Sequence, residues 1–220
     1  MGKRILLCIF LWIPVAILNK SEAQFADDQY MFGCGFSYSF LNSKEFESNG
    51  RPGFNSTFGC QYDISQKFGM NAYFDYSNMG AKIDAFEYDI NDQVFTSTQV
   101  KFFYSYIMVG CLATYNIIEP LSVHVGGCFG SKFRSGKDLK SENLYINNSD
   151  FSGNINLNTV FDKMAQDYGL VSGISVGNED VEFWINYVYY FKNVFADYSV
   201  PVTSHNSVIE LKVLMSLSQF

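Results

Sequence analysis

Phe32-Gly33-Cys34-Gly35-Phe36-Ser37-Tyr38-Ser39-Phe40 alternates an aromatic or thiol residue with glycine or serine throughout. A period of two sends successive side chains to opposite faces of a strand. One face therefore carries Phe32, Cys34, Phe36, Tyr38 and Phe40, and the other Gly33, Gly35, Ser37 and Ser39. A soluble sheet turns a charged face to water. A face built of glycine and serine suits a crowded barrel lumen, with the aromatics turned out to lipid.

The same alternation recurs along the chain. A second strand over about 53–63 sets Phe54, Phe58, Cys60 and Tyr62 against Asn55, Thr57, Gly59 and Gln61. A third sets Phe68, Met70, Ala72, Phe74 and Tyr76 against Gly69, Asn71, Tyr73 and Asp75. The fourth, about 98–115, lies in a charge-free run from Phe102 to Ile118. That run approaches the length of a membrane helix, but its tyrosines, Gly110 and hydroxyl residues favour a strand. The fifth puts Leu121, Val123, Val125 and Phe129 opposite Ser122, His124, Gly126, Cys128 and Gly130. The sixth sets Tyr168, Leu170 and Ile174 against Asp167, Gly169, Gly173 and Ser175. The seventh sets Val181, Phe183, Ile185, Tyr187, Tyr189 and Phe191 against Glu182, Trp184, Asn186 and Lys192. The last sets Ile209, Leu211, Val213, Met215 and Leu217 against Glu210, Lys212, Leu214 and Ser216.

The connections alternate long and short. Asn42 to Pro52, residues 78–97, 134–163 and 193–206 are the long ones; Asp63 to Gln66, Asn116 to Pro120 and Gly177 to Asp180 are turns. Eight strands joined in this way predict an all-β fold: an antiparallel transmembrane β-barrel with short periplasmic turns and long exterior loops.

The N-terminus supports export. Lys3 and Arg4 precede an apolar stretch, Ile5 to Leu18, and Ser21-Glu22-Ala23 resembles a cleavage site. Residues 1–23 are expected to be a signal peptide and 24–220 the barrel domain. Cleavage removes three of the 15 basic and one of the 22 acidic residues, taking the net charge from −7 to −9. That acidity, without a basic cluster, argues against nucleic acid. Charged residues are 17% and aromatics 18% of the chain, where soluble domains run near 25% charged. Cys34, Cys60, Cys111 and Cys128 form no C-x-x-C pair or metal spacing, so no metal or cofactor is expected. Cysteines on a lipid face act as small hydrophobes.

The ordered whole resembles the PorT-like, porin-family outer membrane β-barrel proteins of Bacteroidota-type bacteria. The likeness rests on Ala23-Gln24, Phe32 to Phe36, Tyr106 to Leu112 running into the Asn116 turn, Val125 to Gly130, Tyr168 to Gly173 and the terminal Phe220. It implies a Gram-negative outer membrane location, with outer membrane lipid and the insertion machinery as partners. It also implies secretion-system or surface proteins as further partners, since founding members assist type IX secretion. Outward residues are odd-numbered through Leu217, so Phe220 departs from the usual terminal register unless a bulge intervenes.

An eight-stranded barrel is only wide enough for its own side chains. The lumen-facing positions gather Asp75, Asp167, Glu182, Glu210, Lys132, Lys192, Lys212, Asn71, Asn186 and His124. Buried charges must be paired, so Asp75, His124, Glu182, Glu210 and Lys212 are expected to form a structural network. Ser204, His205 and Asp197 are the nearest approach to a hydrolytic set, and no nucleophile motif accompanies them. Exterior loops are better candidates, because loops on a rigid scaffold carry recognition. Lys137, Lys140, Glu142, Asn147, Asn148 and Asp150 are the candidate binding residues.

The expected function is thus a non-enzymatic outer membrane barrel, serving as scaffold, adhesion surface or secretion accessory through its loops. Two alternatives are a barrel enzyme acting on lipid or protein at the outer rim and a soluble lipocalin-like barrel with an apolar ligand. The second would need apolar residues inside and charges outside.

Overall fold

In the computed structural model, the described residues are 29–43, 48–89, 94–137, 144–146, 155–156, 166–178, 180–193 and 203–217. Residues 1–23, expected to be a signal peptide, and Phe220, Asp197 and the loop candidates Lys140, Glu142, Asn147, Asn148 and Asp150 lie outside them.

The strands are β1 (Gln29–Ser43), β2 (Ser48–Asp63), β3 (Phe68–Asp89), β4 (Val94–Ile118), β5 (Leu121–Lys137), β6 (Leu144–Ile146), β7 (Ile155–Asn156), β8 (Gln166–Gly177), β9 (Val181–Tyr190) and β10 (Ser204–Ser216). Hydrogen bonding runs β2-β1-β10-β9-β8-β5-β4-β3, and a β2–β3 pairing closes the ring. Every pairing is antiparallel, so eight strands form a closed barrel in simple meander order. Closure removes the unpaired edges that an open sheet exposes.

The faces follow the alternation. Phe36 is 75% exposed and points outward, while its neighbour Ser37 is 3% exposed and points inward. Phe32, Phe58, Phe74, Leu170, Ile185 and Leu211 lie on the same outer belt. At the short-turn end Ser65 Oγ accepts from the Phe68 N–H at 3.1 Å, and Asn178 Oδ1 accepts from the Val181 N–H at 2.9 Å. These side-chain acceptors satisfy backbone donors where the ladder stops.

Two sequence expectations need correction. Residues 78–97 are not chiefly a connection: β3 and β4 stay paired from Phe68↔Tyr115 to Asp89↔Val94. Met79, Ala81, Ile83 and Ala85 bury one face of this extension, with Val100 and Phe102 opposite them, while Lys82, Asp84 and Lys101 point out. The polarity here is that of a soluble hairpin, because the strands have left the apolar belt. Likewise β2 begins at Ser48, inside the stretch expected to be a loop. Past Ile83 the hairpin has no β2 partner, and β6 covers its edge through Phe86↔Tyr145 and Glu87↔Leu144.

The β2–β3 register shifts between Gly50 and Asn55, so β2 has one extra residue there. Inward serines of β1 fill the gap. Ser37 Oγ donates to Asn78 O at 3.0 Å, and Ser39 Oγ donates to Gly80 O at 2.7 Å.

Candidate functional site

The described lumen is crowded with buried side chains. In its middle Lys212 is 3% exposed, Asp75 0% and Glu210 2%. Lys212 Nζ lies 2.6 Å from Asp75 Oδ2 and 3.0 Å from Glu210 Oε2. Thr57 Oγ1 donates to Asp75 Oδ1 at 3.0 Å, and the Tyr73 ring centroid sits 5.3 Å from Lys212 Nζ. Tyr73 has room for its ring because its partner across the ladder is Gly110, where a Cβ would collide with that ring.

His124 lies 2.6 Å from Asn186 Oδ1 and stacks on Trp184 at 4.6 Å between centroids. The Trp184 indole N–H donates to Glu182. Asn71 Nδ2 donates to Thr114 Oγ1 at 2.9 Å. Of the five network residues, three therefore meet directly, Asp75, Glu210 and Lys212, while His124 and Glu182 meet through Trp184. Asp167 is held by the main-chain N–H groups of Tyr168 and Lys192, at 2.8 and 3.1 Å.

Above this layer aromatic side chains join buried polar ones such as Asp167, Ser77 and Asn206. Tyr104, Tyr106, Met108 and Tyr190 are buried together, with ring contacts of 5.4 Å between Tyr104 and Tyr106 and 6.2 Å between Tyr106 and Tyr190. Buried charges below and stacked tyrosines above crowd the lumen.

The rim offers no hydrolytic geometry among the described residues. Ser204 and His205 are consecutive in β10 and point to opposite faces. Ser207, on the His205 face, accepts from Asn42 Nδ2 at 2.6 Å and from the Tyr187 hydroxyl at 3.1 Å. His205 instead packs its ring 5.5 Å from Tyr189. The described residues contain no group of three or more metal-ligating side chains. Cys34, Cys60, Cys111 and Cys128 form no disulfide. Cys60 and Cys111 flank Ala72 in the registers Cys60↔Ala72 and Ala72↔Cys111, so a whole strand separates them.

Lys137 ends β5, with its side chain beyond the described set. Sequence reasoning missed a different feature of the long-connection end. Arg51 runs across Gly80, its Nη1 3.0 Å from where a Cβ there would stand, and its Cζ lies 5.4 Å from the Phe103 ring centroid. Its Nη1 donates to Met79 O at 3.0 Å and Asn78 Oδ1 at 3.3 Å. One outward row further along β3, Lys82 faces Lys101 of β4. The alternation through Lys101-Phe102-Phe103-Tyr104 was the available signal for Lys101; the bulge that re-aims Arg51 left none.

No known protein family profile matches the sequence, and no curated protein matches it. Solved structures of similar shape are outer membrane proteins. Neisserial surface protein A is 11% identical, with TM-score 0.49, over 87% of this chain and 100% of that one. The attachment invasion locus protein Ail of Yersinia pestis, solved with the heparin analogue sucrose octasulfate, is 11% identical with TM-score 0.46 over 87% and 100%. OprG of Pseudomonas aeruginosa is 13% identical with TM-score 0.41 over 87% and 94%. At such identities and TM-scores this is a likeness of overall shape, and the eight-stranded barrel rests on the strand pairings of this chain itself.

Proposed function

We propose that the chain is a non-enzymatic outer membrane β-barrel protein that acts through its exterior end, as scaffold, adhesion surface or secretion accessory. One observation carries the membrane reading: the outer belt is apolar and holds no charge. From Tyr30 to Phe40 on β1, and from Leu217 back to Ile209 on β10, no outward described residue is Asp, Glu, Lys or Arg. A soluble barrel would leave Phe36, Phe183 and Tyr168 in water, at a cost of roughly 25 cal/mol for each Å² of apolar area. A bilayer removes that cost. Aromatic pairs mark both ends of the belt: Phe68–Tyr115 at 5.0 Å near the turns, Phe54–Tyr76 at 5.4 Å and Tyr168–Phe191 at 5.8 Å near the other end. Such girdles sit at the two membrane interfaces.

The crowded lumen, with buried charges and stacked tyrosines, supports a role other than solute passage. The secretion-accessory reading draws on the resemblance to PorT-like proteins, and the adhesion reading on the strands that project beyond the belt. The lipocalin-like alternative fails on polarity, with charges inside and aromatics outside. The rim-enzyme alternative lacks a serine–histidine contact among the described residues. Fractionation and heat-modified gel migration test the proposal. The folded barrel should sediment with outer membranes and migrate faster unboiled than boiled, as closed barrels resist denaturant. Recovery from the soluble periplasm without detergent would refute it.

A further inference from the structure

Two carboxylates and one ammonium share the middle of the lumen, so that layer carries one negative charge more than Lys212 answers. Asp75 is complete: its Oδ1 accepts from Thr57 and its Oδ2 from Lys212. Glu210 is not. Its Oε2 meets Lys212 at 3.0 Å, while its Oε1 is buried without a hydrogen-bond partner. Among the described residues Lys212 is the one cation within ion-pair reach of either carboxylate.

The wall beside Glu210 holds further unanswered polar atoms. Asn55 and Ser77 face each other one inward row above Thr57 and Asp75, and both are 0% exposed. Asn55 Oδ1, Asn55 Nδ2 and Ser77 Oγ have no partner. Between Asn55 on β2 and Glu210 on β10 stands only β1, which presents Gly35 and Ser37 there; Ser37 in turn faces Gly53. Asn55 Oδ1 lies 2.8 Å from where a Cβ on Gly35 would stand, so a bare backbone gives the amide its place. No large side chain of β1 or β2 parts Glu210 from Asn55. A buried charge without an answer is costly, and so is each idle polar atom beside it.

We infer that Glu210 Oε1, Asn55 Oδ1 and Ser77 Oγ form a binding site for one partly dehydrated monovalent cation, sodium or potassium, inside the barrel. Hard cations take oxygen ligands, and these three atoms are oxygens with free lone pairs. A single positive charge brings the layer to neutrality. A divalent ion would overshoot it and would want roughly six to eight oxygens. A water completing the shell of the cation accepts from Asn55 Nδ2, the remaining idle donor.

Urea unfolding of the full mature barrel in neutral lipid vesicles tests this, with sodium or potassium chloride exchanged for choline chloride at constant ionic strength. A cation held only by the folded state stabilises it by mass action. Once the site is saturated, each tenfold rise in sodium or potassium should raise the folding equilibrium constant about tenfold. Choline, too bulky for so crowded a space, should give no rise. Asn55→Leu and Glu210→Gln should abolish the dependence and the milder Ser77→Ala should weaken it, whatever each does to stability itself. Glu182→Gln, a lumen carboxylate outside this layer, should keep it. Crystals of the parent barrel grown in rubidium chloride should show an anomalous peak between Glu210 and Asn55. Equal stability in sodium, potassium and choline salts overturns the site and leaves the excess charge to a proton. A dependence that survives in both Asn55→Leu and Glu210→Gln, or rubidium seated elsewhere, overturns its location.

Discussion

Lys212 of β10 reaches across the lumen to Asp75 of β3, 137 residues away in sequence, and the two meet at 2.6 Å. Glu210, two residues before Lys212, shares the same ammonium at 3.0 Å. Strands that are not neighbours in the ring are thereby tied through the barrel interior. An ion pair so far from water has a large desolvation cost, and it persists because each charge answers another.

The energetic consequence is asymmetric. Lys212→Met alone strands two carboxylates in the lumen and should cost about 3–5 kcal/mol. Removing all three charges, with Asp75→Leu and Glu210→Leu added, should restore most of that stability. Urea unfolding midpoints in lipid vesicles measure both. A triple variant no more stable than the single one would show that pairing is not what Lys212 contributes.

The outer belt makes a second prediction. Phe36 is 75% exposed, and Ile185, two strands away in the ring, is 47% exposed. Arginine at either position should cost roughly 2–4 kcal/mol near the bilayer midplane. Lys82→Ala, in the outward row beyond the belt, should leave folding close to wild type. Folding yields in vesicles decide this; a Phe36→Arg barrel folding as well as the parent would mean that the face meets water.

Gly110 offers a third. Its bare backbone is the seat of the Tyr73 ring, which in turn covers Lys212. Gly110→Val should eject that ring and cost about 1–3 kcal/mol through overpacking. Gly127 has no such neighbour: the nearest atom a Cβ there would meet is Gly169 O at 3.7 Å. Gly127→Ala should therefore be mild by the same unfolding measurement, and equal losses at the two sites would remove the seat argument.

Much of this architecture is readable from alternation alone. Phe36 against Ser37, Phe74 against Asp75 and Leu211 against Lys212 each announce face and strand, because lipid and lumen demand opposite chemistry of neighbours. The reading breaks where that demand ends. From Met79 to Asp89 the inward residues include small Ala81 and Ala85, and the outward ones are Lys82 and Asp84. A strand that has left the belt reads as a polar loop. Long-range contacts are hidden for another reason: that Lys212 meets Asp75 depends on strand stagger around the ring, which no local pattern carries. The bulge that turns Arg51 outward adds one residue without any glycine at positive φ to announce it.

Function is expected at the projecting end rather than in the lumen. The lumen holds Lys212 and its carboxylates, Trp184 against His124, and the tyrosine stack, which pack on one another. At the other end, β6 and β7 attach to the part of β3 that has already passed beyond β2. Replacing residues 138–158 by a short Gly-Ser link would remove both small strands and every candidate loop residue except Lys137. It would leave every pairing of the eight-stranded ring intact. The truncated barrel should keep its heat-modified migration and lose partner capture from solubilised outer membranes. The lumen variant Glu182→Gln, Lys212→Met should shift stability and retain capture. A silent loop replacement, together with a folded lumen variant that no longer captures its partner, would place function inside the barrel instead.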